Sequence, residues 1–172
     1  NFSYRPLEVL PGWRQYFNVL ARELQLDENY KPIERIDYNY YDKYGNILEK
    51  VENNSKHTVF LWSHYGQNPR ARIENATYQE VSFVLGCKLE DLSALTVYTP
   101  ILDNDFRIKL PCARVFTYWC NQRNSITTST APNGQSTYYT YDKRGRLIQT
   151  YQLNEEGRME ILQLNNYHIV NE

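Results

Sequence analysis

The spacing of apolar and polar positions changes period along the chain. Near the start, in "WRQYFNVLAREL", Trp13, Phe17, Leu20 and Leu24 recur at i, i+4, i+7 and i+11, which predicts a helix within residues 1–32. No good cap precedes it, and Asn18 and Val19 are mediocre helix formers. From Ile33 the period becomes two. Ile36, Tyr38 and Tyr40 alternate with Asp37 and Asn39, as in a half-exposed strand. "DKYGN" turns the chain, "ILEKV" returns it, and "ENNSK" turns it again. "HTVFLWSHY" is continuously apolar and aromatic, the pattern of a more buried strand; "GQNP" breaks it and "RARI" follows as a short strand. In "ATYQEVSFVLG" the helical period appears, with Tyr78, Val81, Val84 and Leu85 on one side and Gly86 as a stop. "LEDLSAL" repeats it in shorter form, so two small helices are expected over 76–96. "DNDFRIKLP" predicts one more helical turn, capped by Asp103 and closed by Pro111. Beyond Ala113, "ARVFTYWC", "SITTSTA", "QSTYYTY", "LIQTYQL" and "RMEILQL" read as strands divided by "NQRN", "PNG", "DKRGR" and "NEEG".

One turn is spelled twice. "YYDKYGNILEK" occupies 40–50 and "TYDKRGRLIQT" 140–150, so Tyr41, Asp42, Lys43 and Gly45 recur as Tyr141, Asp142, Lys143 and Gly145. Aspartate offers a short acceptor to the amides that follow it, and glycine takes the left-handed conformation that ends such a bend. Asn133-Gly134 is a further hairpin signal. A lone hairpin is marginal in water, so the copies must add their strands to a shared sheet. The expected fold is mainly β: antiparallel hairpins forming an extended sheet or partial shell, with a small two-helix insertion near 76–96. The expected segments are 1–32, a first hairpin unit at 33–74, a helical insertion at 75–111 and a second hairpin unit at 112–172.

Composition sharpens this picture. Sixteen tyrosines stand against six phenylalanines, which suits strands with one wet face rather than a thick oily core. Mean hydropathy is −0.69, yet 41% hydrophobic residues are too many for a disordered chain. Nineteen basic and twenty acidic residues leave a net charge of −1 with no basic run, so a footprint for nucleic acid is missing. No apolar stretch approaches the roughly 20 residues that span a bilayer. With neither an initiator methionine nor a signal peptide, the chain reads as a mature or excised segment.

"YYDKYGN" and "YTYDKRGRL" resemble YD repeats, the units of RHS-family proteins, whose pattern is Tyr-Asp-x-x-Gly-Arg/Asn-Leu. "HTVFLWSHYGQNPRARIENATYQEV" is similar to a segment of the large RHS-like proteins of Bacteroidetes, and "LPCARVFTYWC…APNGQSTYYTYDKRGRL…LQLNNYH" to their C-terminal continuation. The resemblance covers about residues 36–170; Arg70 and Arg72 stand where smaller or apolar residues are usual. It implies a secreted or surface-displayed bacterial β-shell, some members of which enclose a C-terminal toxin while others are linked to adhesion or carbohydrate contact. The self-cleaving core motif and a toxin domain are absent from these 172 residues. The chain is therefore expected to be the C-terminal piece of a longer surface protein, or a small relative of one.

Candidate chemistry is sparse. Cys87, Cys112 and Cys120 are spaced too irregularly for a metal knuckle; Cys112 and Cys120 would be about 26 Å apart if extended, and three free, mostly packed thiols are expected. His57 and His64, seven apart across a strand, fall on opposite faces at its exposed ends, and His168 stands alone. Ser63 beside His64 is a local coincidence, since triads come from distant segments, and no G-x-S-x-G or Walker pattern occurs. Glu74, Glu80, Glu90, Asp91, Asp103 and Asp105 read as caps or solvated faces. Sequons at Asn1, Asn53 and Asn75 matter only in a eukaryotic secreted protein. No catalytic, cofactor-binding or metal-binding residue is assigned. Asp42, Gly45, Asp142 and Gly145 are structural turn residues. Trp62, Tyr65, Trp119 and Tyr139, with Tyr138 and Tyr141, could stack on sugars, although cross-strand pairing explains them as well.

The leading expectation is a non-enzymatic structural or interaction module of an extracytoplasmic RHS-like protein, needing no cofactor. Its partners would be neighbouring repeats of a larger chain or a surface partner, with no nucleic acid. The alternative is a carbohydrate-binding module; an enzyme with an unrecognised site is the third class.

Overall fold

The computed structural model describes residues 1–8, 16–95 and 102–167. Among these, eleven strands and three helices alternate little: β1 (Phe2–Glu8), β2 (Tyr16–Leu26), β3 (Pro32–Tyr41), β4 (Ile47–Glu52), β5 (Lys56–Ser63), β6 (Asn68–Glu74), α1 (Tyr78–Leu85), α2 (Leu89–Ser93), α3 (Leu102–Lys109), β7 (Arg114–Cys120), β8 (Ile126–Thr130), β9 (Ser136–Tyr141), β10 (Leu147–Leu153) and β11 (Met159–Leu164). The strands form one sheet whose spatial order is the sequence order, and every register resolved is antiparallel. The chain is mainly β, as its period-two segments predict.

The N-terminal helix is not formed. Phe17, Leu20 and Leu24 lie in β2, which pairs with β1 on one side and β3 on the other; Trp13 falls outside the described residues. A weak helical stripe without a cap loses to a strand that satisfies its backbone on both edges. The sequence supplies the beginnings of that preference: Val19 is β-branched and buried, and Arg22 sits opposite Asp37 with its Nε 2.5 Å from Oδ1.

The chain divides into two compact units, Asn1–Val115 and Phe116–Glu172. The buried core belongs to the first. Leu48, Val59, Leu61, Ala71 and Ile73 from β4, β5 and β6 meet Val81, Leu89 and Phe106 from the three helices, with Ala76 and Val115 completing the cluster. β5 is the buried strand its run of apolar residues predicts: Val59 and Leu61 are sealed from solvent. α1 starts at a capping box in which the Thr77 side chain and Glu80 satisfy each other's backbone, and ends at Gly86, φ +69°. Tyr78, Val81, Val84 and Leu85 form the face that packs on the core, so the helices roof the sheet rather than interrupt it. α3 covers the stretch read as one helical turn and runs two; the residues ahead of it lie outside the description.

The second unit is a meander with little interior. Its strands β8, β9 and β10 contain no charged residue, and β11 contains only Glu160. The charged side chains of its turns stand at Arg123, Asp142, Lys143, Arg144, Arg146, Glu155, Glu156 and Arg158.

Candidate functional site

The repeated Tyr-Asp-x-x-Gly segments make the same bend. Asp42 Oδ1 accepts the amides of Tyr44 and Asn46 at 3.0 and 2.8 Å, and Asp142 Oδ1 accepts those of Arg144 and Arg146, both at 2.9 Å. Gly45 and Gly145 close the two bends at φ +87° and +79°. The second carboxylate oxygen differs in its partner. Asp42 Oδ2 takes the Asn46 side-chain amide at 3.0 Å and is fully buried, whereas Asp142 Oδ2 takes Arg146 Nε at 2.8 Å in an open ion pair. The backbone amide of Arg146, with the guanidinium behind it, holds the Asp142 carboxyl below its usual range.

The tyrosine ahead of each aspartate has its own task. Tyr141 Oη donates to the carbonyl of Ile126 at 2.7 Å, and Tyr41 Oη donates to the carbonyl of Leu20. Both acceptors lie on the preceding strand, past the last ladder pair: β8 and β9 pair from Thr128 to Thr130, and β2 and β3 pair from Arg22 to Leu26. The phenol supplies the hydrogen bond that the diverging ladder no longer can. Burial pushes both phenols upward in pKa.

Six turns among the described residues share this backbone pattern: 27–31, 42–46, 121–125, 131–135, 142–146 and 154–158. In each, the first residue donates to the carbonyl of the fifth, and the fourth donates to the carbonyl of the first. The fourth residue always has positive φ, including the non-glycines Tyr30 and Asn124. Asp27, Asn121 and Asn154 supply the same side-chain acceptor as the two repeat aspartates. Only two of the six are legible as kin in the sequence: those at 27 and 121 replace the glycine, and those at 131 and 154 keep it but open on Ala131 and Asn154 instead of aspartate.

An open depression of about 490 Å³ in the second unit lies against two of these turns. Arg123, Thr127, Tyr139, Tyr141 and Asp142 line it. Its polar groups are largely engaged: Tyr139 Oη shares a hydrogen bond with Ser129 Oγ at 3.0 Å, and Arg123 donates to the Lys143 carbonyl at 2.9 Å.

The candidate stacking residues do not share one face. Within the second unit, register aligns Trp119, Thr128, Tyr138, Tyr151 and Ile161 in a row across five strands, and Tyr138 stacks on Tyr151 at 5.1 Å. Tyr139, next to Tyr138 on β9, therefore points to the other face. In the first unit, Trp62 is half-buried, packs on the core and donates its indole N–H to Ile47 at 2.9 Å. Tyr65 is exposed, edge-on to Tyr44 at 6.5 Å.

The sequence reading missed Glu49. This glutamate is buried in β4, where Oε1 accepts the first amide of α1 (Tyr78, 2.9 Å) and lies 3.1 Å from His57 Nδ1, while Oε2 accepts Asn39 at 3.0 Å. His57 is thus held against a carboxylate rather than standing free at a strand end, and His64 lies beyond β5. A Leu-Glu-Lys stretch that reads as an ordinary strand gives no sign of such a node. Glu74 pairs with Arg72 and Arg114, Glu80 caps α1, and Glu90 accepts from Tyr78 Oη at 2.5 Å. Burial, reinforced by Glu90, raises the Tyr78 phenol pKa. Asp91 stands in the first turn of α2, and the side chains of Asp103 and Asp105 lie outside the description. The three cysteines are free; Cys87 and Cys120 are half-buried and Cys112 is exposed. Among the described residues no three His, Cys, Asp or Glu side chains converge as metal ligands, and no helix is long and apolar enough to cross a membrane.

No family model and no curated protein matches the chain. Among solved structures, it is similar to a chain of the Photorhabdus luminescens Tc holotoxin pore, with 9% identity over 90% of its own length and a TM-score of 0.31. It spans 6% of that chain.

Proposed function

We propose that this chain is a non-enzymatic structural module of the YD-repeat type, part of an extracytoplasmic bacterial protein of the RHS kind. The observation that carries the reading is the paired role of the repeat residues. Tyrosine fastens a hairpin to the strand before it, and aspartate closes the hairpin onto itself. A unit that supplies both bonds from its own sequence can be added to a growing sheet one hairpin at a time, and the strand order follows such addition. Two of the candidate carboxylates have structural roles that fit this reading: Glu80 caps α1, and Glu74 pairs with Arg72 and Arg114. The neighbouring partner in this reading is another repeat of the same kind.

The coding sequence around this segment tests it. Further in-frame Tyr-Asp-x-x-Gly units at spacings of ten to forty residues, about the length of one to three hairpins, are expected. A stand-alone frame with none would overturn the module reading.

A second reading, a carbohydrate-binding module, is favoured by the depression beside Tyr139 and Tyr141. Aromatic rings and neutral hydroxyls suit an uncharged sugar. Binding to a glycan array that Tyr139→Ala abolishes without lowering the melting temperature would support it; an empty array sinks it.

A further inference from the structure

Two more side chains repeat the task of Tyr41 and Tyr141. Trp62 donates its indole N–H to the carbonyl of Ile47 at 2.9 Å. Tyr167 Oη donates to that of Leu147 at 2.9 Å, a carbonyl it shares with Asn165 Nδ2. Ile47 and Leu147 hold the same place in the chain, five residues past Asp42 and Asp142. The geometry is constant as well. The ladders end at Glu49–Val59, Thr128–Tyr138 and Gln149–Leu164. Each donor stands three residues beyond the last pair and each acceptor two: Trp62 and Ile47, Tyr141 and Ile126, Tyr167 and Leu147. Tyr41 stands four beyond its last pair, Arg22–Asp37, and the extra residue is Asn39, which the register of β3 against β4 skips. Every one of these bonds closes a hairpin at the end away from its turn, where paired strands fray first.

We propose that the repeating unit of this protein is a four-strand block with three fasteners: an opening lock, the aspartate turn and a closing lock. One block is β2–β5, fastened by Tyr41 and Trp62; the other is β8–β11, fastened by Tyr141 and Tyr167. Trp62 and Tyr167 are thus one functional residue, the register-setting donor of the block's last strand, in two chemical forms. A second relationship supports the match independently. The residue four past each aspartate binds its Oδ2 and also reaches the closing segment. Asn46 Nδ2 donates to the Gly66 carbonyl at 2.9 Å, and the Arg146 guanidinium lies 4.4 Å from the centre of the Tyr167 ring. Turn and closing lock are joined in both blocks. The second block has a further need of its lock. The pairing of β11 with β10 skips Leu162, so the turn at 154–158 does not fix the register at the far end, and Tyr167 does.

The assignment deepens the module reading and rests on it, but the two can fail separately, since the neighbouring coding sequence has no bearing on bonds within this chain. Hydrogen exchange and urea denaturation of the 172-residue chain test it. Tyr167→Phe removes only the donor. The Asn165 amide, which bonds the Ile148 carbonyl beside the lock, is expected to exchange about fivefold faster. The Gly157 amide, at the turn end of the same hairpin, is expected to keep its rate. Tyr167→Trp, which restores a ring donor, should return Asn165 toward the parent rate. In the first block, Trp62→Tyr should hold a higher urea midpoint than Trp62→Phe, since both lose the bulk of the indole and only tyrosine offers a donor. Unchanged exchange at Asn165 in Tyr167→Phe, equal acceleration at Gly157, or a Trp62→Tyr variant no more stable than Trp62→Phe would overturn the assignment.

Discussion

The hydroxyl of Tyr141 reaches from β9 to the carbonyl of Ile126 on β8, 2.7 Å away, at a point where the ladder between the two strands has already ended. Tyr41 makes the equivalent bond to Leu20 a hundred residues earlier. Tyr141→Phe keeps the ring and removes only this bond, so it is expected to cost about 1 kcal/mol. Tyr41→Phe should cost a similar amount. Chemical denaturation measures both, and a variant as stable as the parent would show that the bond does not matter.

The two aspartates share a role but not an environment. Asp42 is sealed from solvent and its loss strands three donors, so Asp42→Ala is expected to cost about 3 kcal/mol. Asp142→Ala strands one exposed and one half-buried amide, both nearer water than those at Asp42, and is expected to cost about 1 kcal/mol. Asp142→Asn should fall between that variant and the parent, because Asn121 and Asn154 perform the same turn with an amide oxygen. Equal losses at 42 and 142 would refute the difference in burial.

Glycine substitutions separate strain from crowding. A Cβ at Gly145 meets nothing within 4 Å, so Gly145→Ala is expected to cost about 1–2 kcal/mol from its positive φ of +79° alone, and Gly145→Val at least as much. At Gly66 a Cβ would stand 2.4 Å from the Asn46 side-chain nitrogen and 2.9 Å from the Tyr44 ring. Gly66→Ala must therefore disturb the first repeat turn as well. Its melting temperature is expected to fall further than that of Gly145→Ala.

How much of this was legible in the sequence depended on how local each cause was. Turns were legible because Asp, Asn and Gly act through bonds to their own neighbours, and Gly86 marked the end of α1 for the same reason. The helix expected at Trp13–Leu24 failed because what decides β2 is pairing with β1 and β3, which no window of one strand contains. Turns at 27 and 121 escaped as kin of the repeat because Tyr30 and Asn124 take the left-handed position usually left to glycine. Glu49 escaped because three of its contacts come from β3, β5 and α1.

Acid should loosen the first unit. Burial works to raise the Asp37 carboxyl, but hydrogen bonds from Arg35 and Arg22 outweigh it and leave the group below its ordinary 3.8; Lys50 and Lys56 lower Glu52 likewise. A carboxyl depressed in the folded state adds stability above its unfolded pKa and loses it as pH falls through the folded one. Stability is thus expected to decline from about pH 5 toward pH 2, and Asp37→Asn should flatten that decline. Urea midpoints across the range check it. At the other extreme, burial and Glu23 raise the Tyr38 phenol to about 12, so its contribution is present below the ordinary phenol range and vanishes as pH rises through about 12. A late step in the ultraviolet titration of tyrosine, reduced in Tyr38→Phe, is the expected signature.

Spatial order that copies sequence order has a mechanical corollary. Each strand leans on the strand made just before it and the one made just after, and between β6 and β7, where the three helices intervene, a longer stretch of chain must be brought home before the ladder can close. Such a ribbon can assemble as fast as it emerges from the ribosome. Pulled from its C-terminal end, the second unit, with little interior of its own, should give way like a zip, tooth by tooth.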